Sequence, residues 1–388
     1  MIFSSLIQAL SMSFAMGWEI LWPLILGFGI SAAIQAVVSH RLMSKLLPDD
    51  RPKTLIIAAA LGAASSSCSY AAVALARSIY RKGANFTAAM AFEISSTNLV
   101  VELGIIMWLL LGWQFVLAEF VGGTIMIIVL AVLLRRFLTP KLLTEAHKQA
   151  EKGLAGRMEG HAAMDDMAVK GNGSVLQKLF SSDGKTATSH FFVMDWASVW
   201  TDIVLGLLIA GAIAAWVPAS FFEKFFITSH PLASVIWGPI VGPLLAVFTF
   251  VCSVGNVPLA AVLWNGGISF GGVISFIFAD LIVFPILRIY YKYYGLKMAA
   301  FLFLTFYASM VLAGYLVEII FALLHLTPHV RNATVLDPSI SFNYTSVLNI
   351  VFLLIGTALV WRFLRTGGPM MLRMMNQKSV NQEAPAHH

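Results

Sequence analysis

Residues 54–80 decide the fold, and they read TLIIAAALGAASSSCSYAAVALARSIY. Two apolar arms flank a small polar centre from Ser65 to Ser69, and Lys53 and Lys82 lie just outside the stretch. Each arm has about 13 residues, or about 20 Å of α-helix. Such an arm reaches the middle of a bilayer core about 30 Å thick but does not cross it. The pattern predicts a re-entrant hairpin with both ends on one side of a membrane.

The composition of the whole chain is that of a membrane protein. Of its 388 residues, 59% are hydrophobic and 11% are charged, and the mean hydropathy is +0.83. Soluble domains carry about 25% charged residues, and a membrane-spanning helix needs about 20 mostly apolar residues. Stretches of about that length occur at 19–38, 84–111, 114–134, 198–217, 267–287, 298–324 and 345–361. We therefore predict an all-α, polytopic helical membrane protein that is not an enzyme.

The two halves of the chain repeat each other. An offset of 184 aligns Cys68-Ser69 with Cys252-Ser253, and it also aligns Gly83 with Gly267. A slightly shorter offset, 179, aligns the first apolar span of each half. Apolar sequence aligns with itself by chance, but the paired Cys-Ser and the glycine argue against chance. The repeat predicts a second hairpin over 238–266.

The charges around the two hairpins indicate how the halves are related. No Lys or Arg flanks 238–266, whereas Lys53 and Lys82 flank the first hairpin. Because basic residues concentrate on the cytoplasmic side, the hairpins are expected to enter the membrane from opposite sides. One span, one hairpin and two more spans give each half an odd number of crossings, which inverts the second half. We predict two inverted repeats, each with a re-entrant or broken helical hairpin, plus a C-terminal span.

This organisation divides the chain into four segments. They are an N-terminal transmembrane repeat at 1–136, a cytoplasmic polar linker at 137–195, a C-terminal transmembrane repeat at 196–326, and an extra span with a cytoplasmic tail at 327–388. The linker is rich in Lys, Gly and Ser, a composition that packs little core. The expected location is the inner (plasma) membrane, with several crossings and a cytoplasmic C-terminus.

The polar centres of the two hairpins form the predicted substrate site, with Cys68 and Cys252 facing each other across a polar cavity. Non-helical backbone at membrane depth is tolerated where it faces protein or water, and helix starts offer amide groups to an anion or a polar atom. The candidate substrate-binding residues are Ser65, Ser66, Ser67, Cys68, Ser69, Asn98, Cys252, Ser253 and Asn256. Small residues that permit close helix packing are the alternative explanation.

Acidic residues within apolar stretches are a second group of candidates, because a carboxyl at bilayer depth is costly and tends to be functional. Asp280 lies near the centre of 267–287, and its repeat equivalent is Ser96. The candidate coupling residues, as proton carriers or cation ligands, are Asp280, Glu93 and Glu102. The alternative is a carboxyl that is paired or hydrogen-bonded within the bundle. Further acids in apolar stretches are Glu119 and Glu318.

The remaining features exclude other classes of protein. The net charge of +6 comes mostly from short connections between spans, so it indicates orientation in a membrane and no nucleic-acid partner is expected. Cys68 and Cys252 lack the spacing of a zinc or redox motif, and we predict no metal site, no catalytic residue and no cofactor. The expected partners are a small-molecule or ion substrate and the lipid bilayer, with homo-oligomerisation left open.

Six short blocks carry a family resemblance, and they are Ser65-Ser-Ser-Cys-Ser-Tyr70, Lys82-Gly-Ala84, Ser95-Ser-Thr-Asn98, Cys252-Ser-Val-Gly-Asn-Val-Pro258, Gly266-Gly267 and Phe278-Ala-Asp280. They resemble the permease family that includes the ArsP-type organoarsenical efflux permeases. The resemblance covers about residues 20–325 and implies an inner-membrane transporter, with export of trivalent organoarsenicals in one branch. Tyr70 stands where relatives carry a second cysteine, so each tip supplies one soft ligand for arsenic.

The predicted function is that of a membrane permease that moves a small solute across the inner membrane by alternating access. The site lies at the two Cys-Ser tips, and efflux of a metalloid or organoarsenical compound is the activity that the resemblance implies. A channel-like pore or a membrane scaffold for a partner protein is the alternative. Saturable flux that depends on a gradient would separate a transporter from both.

Overall fold

Helices make up all the regular secondary structure in the part of the chain that the structure describes. The computed structural model describes residues 2–37, 46–65, 69–81, 83–150, 175–248, 253–328, 330, 331, 333 and 344–370. The α-helices are α1 (Ile2–Val37), α2 (Pro52–Ser65), α3 (Ser69–Arg81), α4 (Phe86–Asn98), α5 (Val101–Leu110), α6 (Trp113–Phe137), α7 (Pro140–Ala150), α8 (Val175–Phe180), α9 (Ser182–Trp216), α10 (Ala219–Phe225), α11 (Pro231–Val247), α12 (Ser253–Asn265), α13 (Phe270–Ile277), α14 (Phe284–Tyr294), α15 (Leu296–Leu323) and α16 (Tyr344–Arg365). A 3-10 helix, Phe278–Ile282, joins α13 to α14. The all-α polytopic fold class is confirmed.

The helices of the first half recur in the second. Helices α1 to α6 correspond in order to α9, α11, α12, α13 with its 3-10 extension, α14 and α15. The turn before α4 contains Gly83 with φ +99°, and the turn before α13 contains Gly267 with φ +107°. Both values lie in the left-handed region that favours glycine. Asn85 and Ser269, again 184 residues apart, then cap α4 and α13 with their side chains.

The paired helices α2–α3 and α11–α12 each return to the place where they began. The Asn85 amide, after α3, donates to the Leu47 carbonyl, before α2, at 2.8 Å. In the second half, Thr228 precedes α11 and lies against Gly267, which follows α12. In both predicted hairpins the beginning of the first helix therefore lies close to the end of the second, as a re-entrant hairpin requires. The second differs from its predicted outline, because Ser253 and Asn256, which were predicted to lie in the polar tip, are part of α12.

Aromatic contacts place the two hairpins at opposite ends of the bundle. At the first end, Tyr80 and Phe86 pack against Tyr294, with ring centroids 6.4 and 5.6 Å apart. At the second end, Trp264 and Phe270 pack against Phe115, with centroids 5.1 and 4.8 Å apart. Helix α6 runs from the second end to the first, where its last turn bonds the loop before α2. The two halves are thus inverted relative to each other, as predicted.

Two of the predicted spans are broken helices. Helices α4 and α5 meet at an angle of 40°, and the continuous segment of α13 and the 3-10 helix meets α14 at 43°. The second broken span continues to Tyr294, beyond the predicted end at 287, because Tyr290 and Tyr293 bury their rings in the bundle. In the described residues, four unbroken helices and these two bent pairs are long and apolar enough to cross a membrane.

The longest helices form a separate layer. Helices α1 and α9 are antiparallel: Trp216 Nε1 donates to the Ser5 carbonyl at 3.0 Å, and Gln35 Nε2 donates to Asp195 Oδ2 at 3.1 Å. Helix α16 packs against both of them and corresponds to the predicted C-terminal span. The segment predicted as a polar linker, 137–195, includes α7, α8 and the start of α9.

A glycine permits close packing between hairpin and broken span in each repeat. Helix α2 packs on α4 at Gly62, where an added Cβ would lie 2.4 Å from the Phe92 carbonyl oxygen. Helix α11 packs on α13 at Gly242, where an added Cβ would lie 2.5 Å from the Gly272 carbonyl oxygen. Small residues let membrane helices approach this closely. The two contacts hold each hairpin against the broken helix of its own repeat.

Candidate functional site

A hydrogen bond joins the two repeats in the buried interior. Ser69, the first residue of α3, donates through Oγ to Asp280 Oδ2 at 2.5 Å. Both residues are fully buried. Ser69 is held there because α3 starts at the tip of the first hairpin, and Asp280 because the 3-10 helix interrupts the broken span of the second repeat. The contact therefore joins one residue from each half, and both residues lie where helices are interrupted.

The end of α4 completes the surroundings of Asp280. The side chains of Thr97 and Asn98 lie next to its carboxyl group, and Asn98 Nδ2 donates to Thr97 Oγ1 at 3.1 Å. Asn98 Oδ1 and Asp280 Oδ1 have no hydrogen-bond partner among the described residues, although both atoms are buried. Buried polar atoms are usually satisfied, so these two oxygens mark the region as a candidate for binding a polar group.

The other predicted substrate-binding residues fall into two groups. Ser65 is buried at the end of α2, where its Oγ donates to the Gly62 carbonyl at 2.9 Å. Ser253 and Asn256 are buried in the first turn of α12, a helix that packs against α5 and the 3-10 helix. The expectations for the remaining residues lie outside the described parts of the chain, and these residues are Ser66, Ser67, Cys68 and Cys252.

Glu93 lies beside the Asp280 site. It is fully buried in α4, and it accepts a short hydrogen bond from the Tyr290 hydroxyl of α14. Its second oxygen has no partner among the described residues, and its charge interacts with that of Asp280. The structure thus brings together two of the three predicted coupling residues.

Glu102 occupies a different environment at the start of α5. Its side chain packs over Gly27 of α1, where an added Cβ would lie 2.1 Å from the Glu102 Cβ. Its charged neighbour is Asp195 of α9, which in turn accepts the hydrogen bond from Gln35. The contacts of Glu102 therefore connect the broken span to the long helices α1 and α9.

Sequence reasoning did not select Glu119, which the structure places near Asp280. Glu119 is fully buried in α6, and its charge interacts with that of Asp280. Neither of its carboxyl oxygens has a hydrogen-bond partner among the described residues. Its neighbours in the sequence contained one usable signal: no basic residue lies within one helical turn on either side. An acid without a cation beside it in an apolar span is a candidate for function.

Glu318, the other acid in an apolar span, has a structural role at the second end. Its Oε2 accepts from the Gly271 amide at 2.5 Å, in the first turn of α13. Arg331 lies near Glu318, donates to the Trp264 and Ile268 carbonyls at 2.7 and 2.8 Å, and covers the Trp264 ring. This satisfied cluster ties α13 and α15 to the loop that follows α15.

The comparisons with known proteins agree with this architecture. Residues 5–319 match a family described as "Predicted permease". The chain is also 62% identical over 352 residues to "Putative permease Rv2963" of Mycobacterium tuberculosis (strain ATCC 25618 / H37Rv), with 91% of this chain and 86% of that protein aligned. No solved structure matches the chain. The chain belongs to this family of predicted permeases, a description that denotes membrane transport.

Proposed function

We propose that the chain moves a small polar solute across the inner membrane by alternating access, through a site at the tips of its two hairpins. The observation that carries this proposal is the Ser69–Asp280 hydrogen bond, which links a hairpin tip of one repeat to the helix break of the other. In transporters with inverted repeats, substrate and ion sites lie at the repeat interface near the midplane, on discontinuous helices. The same features meet around Asp280.

The chemistry of this region suits a polar or anionic group. Helix α3 begins at Ser69 and α12 begins at Ser253, so the amide groups of their first turns lie at the hairpin tips. Helix starts carry partial positive charge, and the side chains of Asn98 and Asn256 add polar groups at the neighbouring breaks. A solute that bridges these groups would bind to both repeats at once. Movement of one repeat against the other would then expose the solute to either side.

The proposed substrate class is a trivalent metalloid or organoarsenical compound, moved outward. Its support is the family resemblance together with Cys68 and Cys252, one thiol in each predicted tip. Thiolates are the preferred ligands of soft metal ions and metalloids. Asp280 and Glu93 are the proposed coupling residues at this site, and Glu102 is a proposed coupling residue between α5 and α9.

The proposed orientation places the first end of the bundle in the cytoplasm. That end carries the basic residues around the first hairpin and the ends of α6, α14 and α16, whereas the second end carries Lys224 and Arg331. Basic residues accumulate on the cytoplasmic side of membrane proteins. The C-terminus is then cytoplasmic, and the proposed division is a repeat at 1–136, a linker at 137–195, a repeat at 196–326 and an added span at 327–388.

Transport by purified protein in proteoliposomes tests the proposal. We expect saturable flux of trivalent methylarsenical in the wild type, and loss of most of that flux in Ser69→Ala and Asp280→Asn. Ser309→Ala is the matched control, because Ser309 is also fully buried but bonds only the Thr305 carbonyl of its own helix. Flux that does not saturate would support a channel-like pore, and unchanged flux in both site variants would contradict the site.

If this probe is not moved, a thermal-shift screen against metalloids, thiolated compounds and oxyanions finds the substrate class. A ligand that binds the folded state raises the melting temperature by mass action. The rise should be absent in Asp280→Asn and present in Ser309→Ala. Absence of any binding together with absence of flux would favour a membrane scaffold for a partner protein.

A further inference from the structure

Three buried carboxyl groups lie around the helix breaks, and none of them has an ion-pair partner among the described residues. Glu93, Glu119 and Asp280 are each fully buried, and Asp280 interacts electrostatically with both of the others. Among the described residues, no Lys, Arg or His forms an ion pair with any of the three. Four of their six carboxyl oxygens have no hydrogen-bond partner there. Glu119 contributes two of these four oxygens, which makes it the least satisfied of the group.

The fold holds Glu119 close to the break that carries Asp280. One turn after Glu119, Gly122 of α6 packs against the ring of Phe278, two residues before Asp280. The next residue, Gly123, packs against Leu99 at the α4–α5 break. Helix α6 thus touches both broken spans at this level. Relative movement of the repeats would change the surroundings of Glu119 and Asp280 together.

Tyr290 and Tyr294 of α14 lie near Glu93, and the other titratable groups on the surrounding helices are exposed or engaged elsewhere. Helices α11, α12 and α13 contribute no titratable side chain, and Tyr290 of α14 bonds Glu93. Helix α5 carries Glu102 beside Asp195, and α6 carries Arg135 and Arg136 in its last turn. Helix α14 carries the exposed Arg288, Tyr291 and Lys292, together with Tyr293 beneath Arg77 and Tyr294 against Tyr80. Helix α15 carries Lys297 bonded to Glu145, Tyr307 and Tyr315 bonded to α11 carbonyls, and Glu318 bonded to the Gly271 amide.

A carboxylate without a cation in a membrane interior is strongly disfavoured, and several close together are more so. Such groups are stable when they carry protons or bind a cation. The described carboxyl groups do not converge as metal ligands, because no set of three or more His, Cys, Asp or Glu there has suitable geometry. A proton neutralises each carboxyl group by itself and does not require the three groups to converge on one ion.

We propose that Glu119, together with Asp280 and Glu93, forms a proton-binding site that couples solute movement to a proton gradient. This inference rests on the proposed transport function and adds the coupling ion and a residue that carries it. Glu119 takes up a proton when the site faces one side of the membrane and releases it after the repeats have moved. Asp280 links this proton to the solute. It interacts electrostatically with Glu119, and it accepts the hydrogen bond from Ser69 at the hairpin tip.

Infrared difference spectroscopy of the protein in lipid vesicles tests proton binding without a solute. The C=O stretch of protonated carboxyl groups should diminish reversibly as the pH is raised. Glu119→Gln should remove part of this titrating band and change the titration of the rest, because the groups interact. Ser309→Ala is the matched control, since Ser309 is fully buried, bonds the Thr305 carbonyl of its own helix and carries no carboxyl group, and it should leave the titrating band unchanged.

Flux measurements test the coupling itself with trivalent methylarsenical as the probe. The ratio of flux with a pH gradient to flux without one should exceed one in the wild type and fall to one in Glu119→Gln. Size-exclusion elution at the wild-type volume shows that the variant is folded. A titrating band that is the same in Glu119→Gln, or an unchanged flux ratio, overturns the proposal. A wild type that titrates but moves no solute contradicts the proposed transport function instead.

Discussion

The two repeats have matching backbones and different chemistry. Their capped helices, turns and breaks recur at an offset of 184, but Asp280 of the second repeat corresponds to Ser96 of the first. In the other direction, Glu93 corresponds to Ile277, and Glu119 corresponds to Phe303. The arrangement of helices, which we call the frame, is therefore present in both repeats, whereas each of these acids occurs in only one repeat.

This difference separates the requirements of movement from those of coupling. Two equivalent repeats can exchange conformations, which gives an inward-facing and an outward-facing state of similar energy. In the proposed mechanism a coupling site needs no duplicate, because one set of carboxyl groups at the interface would be accessible from both sides in turn. Glu93 and Glu119 from the first repeat meet Asp280 from the second, so the interface itself assembles the acidic group.

The largest expected effect tests whether the two frames are equivalent. Gly62→Val and Gly242→Val each place a side chain where a backbone carbonyl of the neighbouring helix lies. Each should destabilise the protein by about 3 kcal/mol and lower its melting temperature in detergent. Gly29→Val is the control, because an added Cβ there meets no atom within 4 Å. A large decrease in melting temperature in only one of the two variants would show that the two frames are not equivalent.

A smaller effect is expected from the equivalent helix caps. Asn85 accepts from the Thr87 and Ala88 amides at 2.9 and 3.3 Å, whereas Ser269 accepts from the Gly272 amide at 3.1 Å. Alanine at either position should cost about 1 kcal/mol, with the greater loss at Asn85. The caps lie at opposite ends of the bundle, so their effects on melting temperature should add in the double variant. Strong non-additivity would indicate that the two ends are not independent.

The smallest effect distinguishes the two hairpin entrances by pH. Before the first hairpin, the Thr54 hydroxyl and the Arg51 amide bond Asp49 and hold its pKa below the usual value of 3.8. No acid precedes the second hairpin in the same way. The contribution of Asp49 to stability is present above its unfolded pKa and is lost as the pH falls through the lower folded pKa. Thr54→Val should bring the pKa of Asp49 back toward 3.8.

Melting temperature measured between about pH 6 and pH 3 reports this contribution. The difference between wild type and Thr54→Val should shrink toward the acidic limit, and it should be small throughout because Asp49 is open to solvent. Asp49→Asn should abolish the pH-dependent part. A difference that grows as the pH falls would contradict the assigned sign.

Much of the fold follows from patterns that a sequence displays directly. Hydrophobic length, the offset of 184 and the distribution of Lys and Arg predicted the hairpins and their inversion. The exact start of α12 was missed, because Ser253 and Asn256 are polar but lie in a helical turn whose side chains are buried. A polar residue in an apolar segment indicates an unusual position, but it does not predict the backbone conformation there.

Less of the site could be predicted. Asp280 stood out as a lone acid in an apolar span, and Ser69 as part of a polar tip, but their contact joins residues 211 positions apart. Only packing brings such residues together. Glu119 is an acid in an apolar span, but it was not predicted as a coupling residue. The sequence does not reveal that both its carboxyl oxygens are buried without hydrogen-bond partners among the described residues. Glu102 was predicted as a coupling residue because it is an acid in an apolar span. Only packing places Asp195 beside it as its charged neighbour.

Substituted-cysteine labelling tests the central claim, two inverted re-entrant hairpins, most directly. Single cysteines at Lys53, Arg81 and Ser229, introduced after replacement of Cys68 and Cys252 by serine, would be exposed to a membrane-impermeant maleimide in intact cells and in inverted vesicles. We expect positions 53 and 81 to react only in inverted vesicles, because both ends of the first hairpin share one side, and position 229 to react only in intact cells. Reaction of positions 53 and 81 from opposite faces would contradict it.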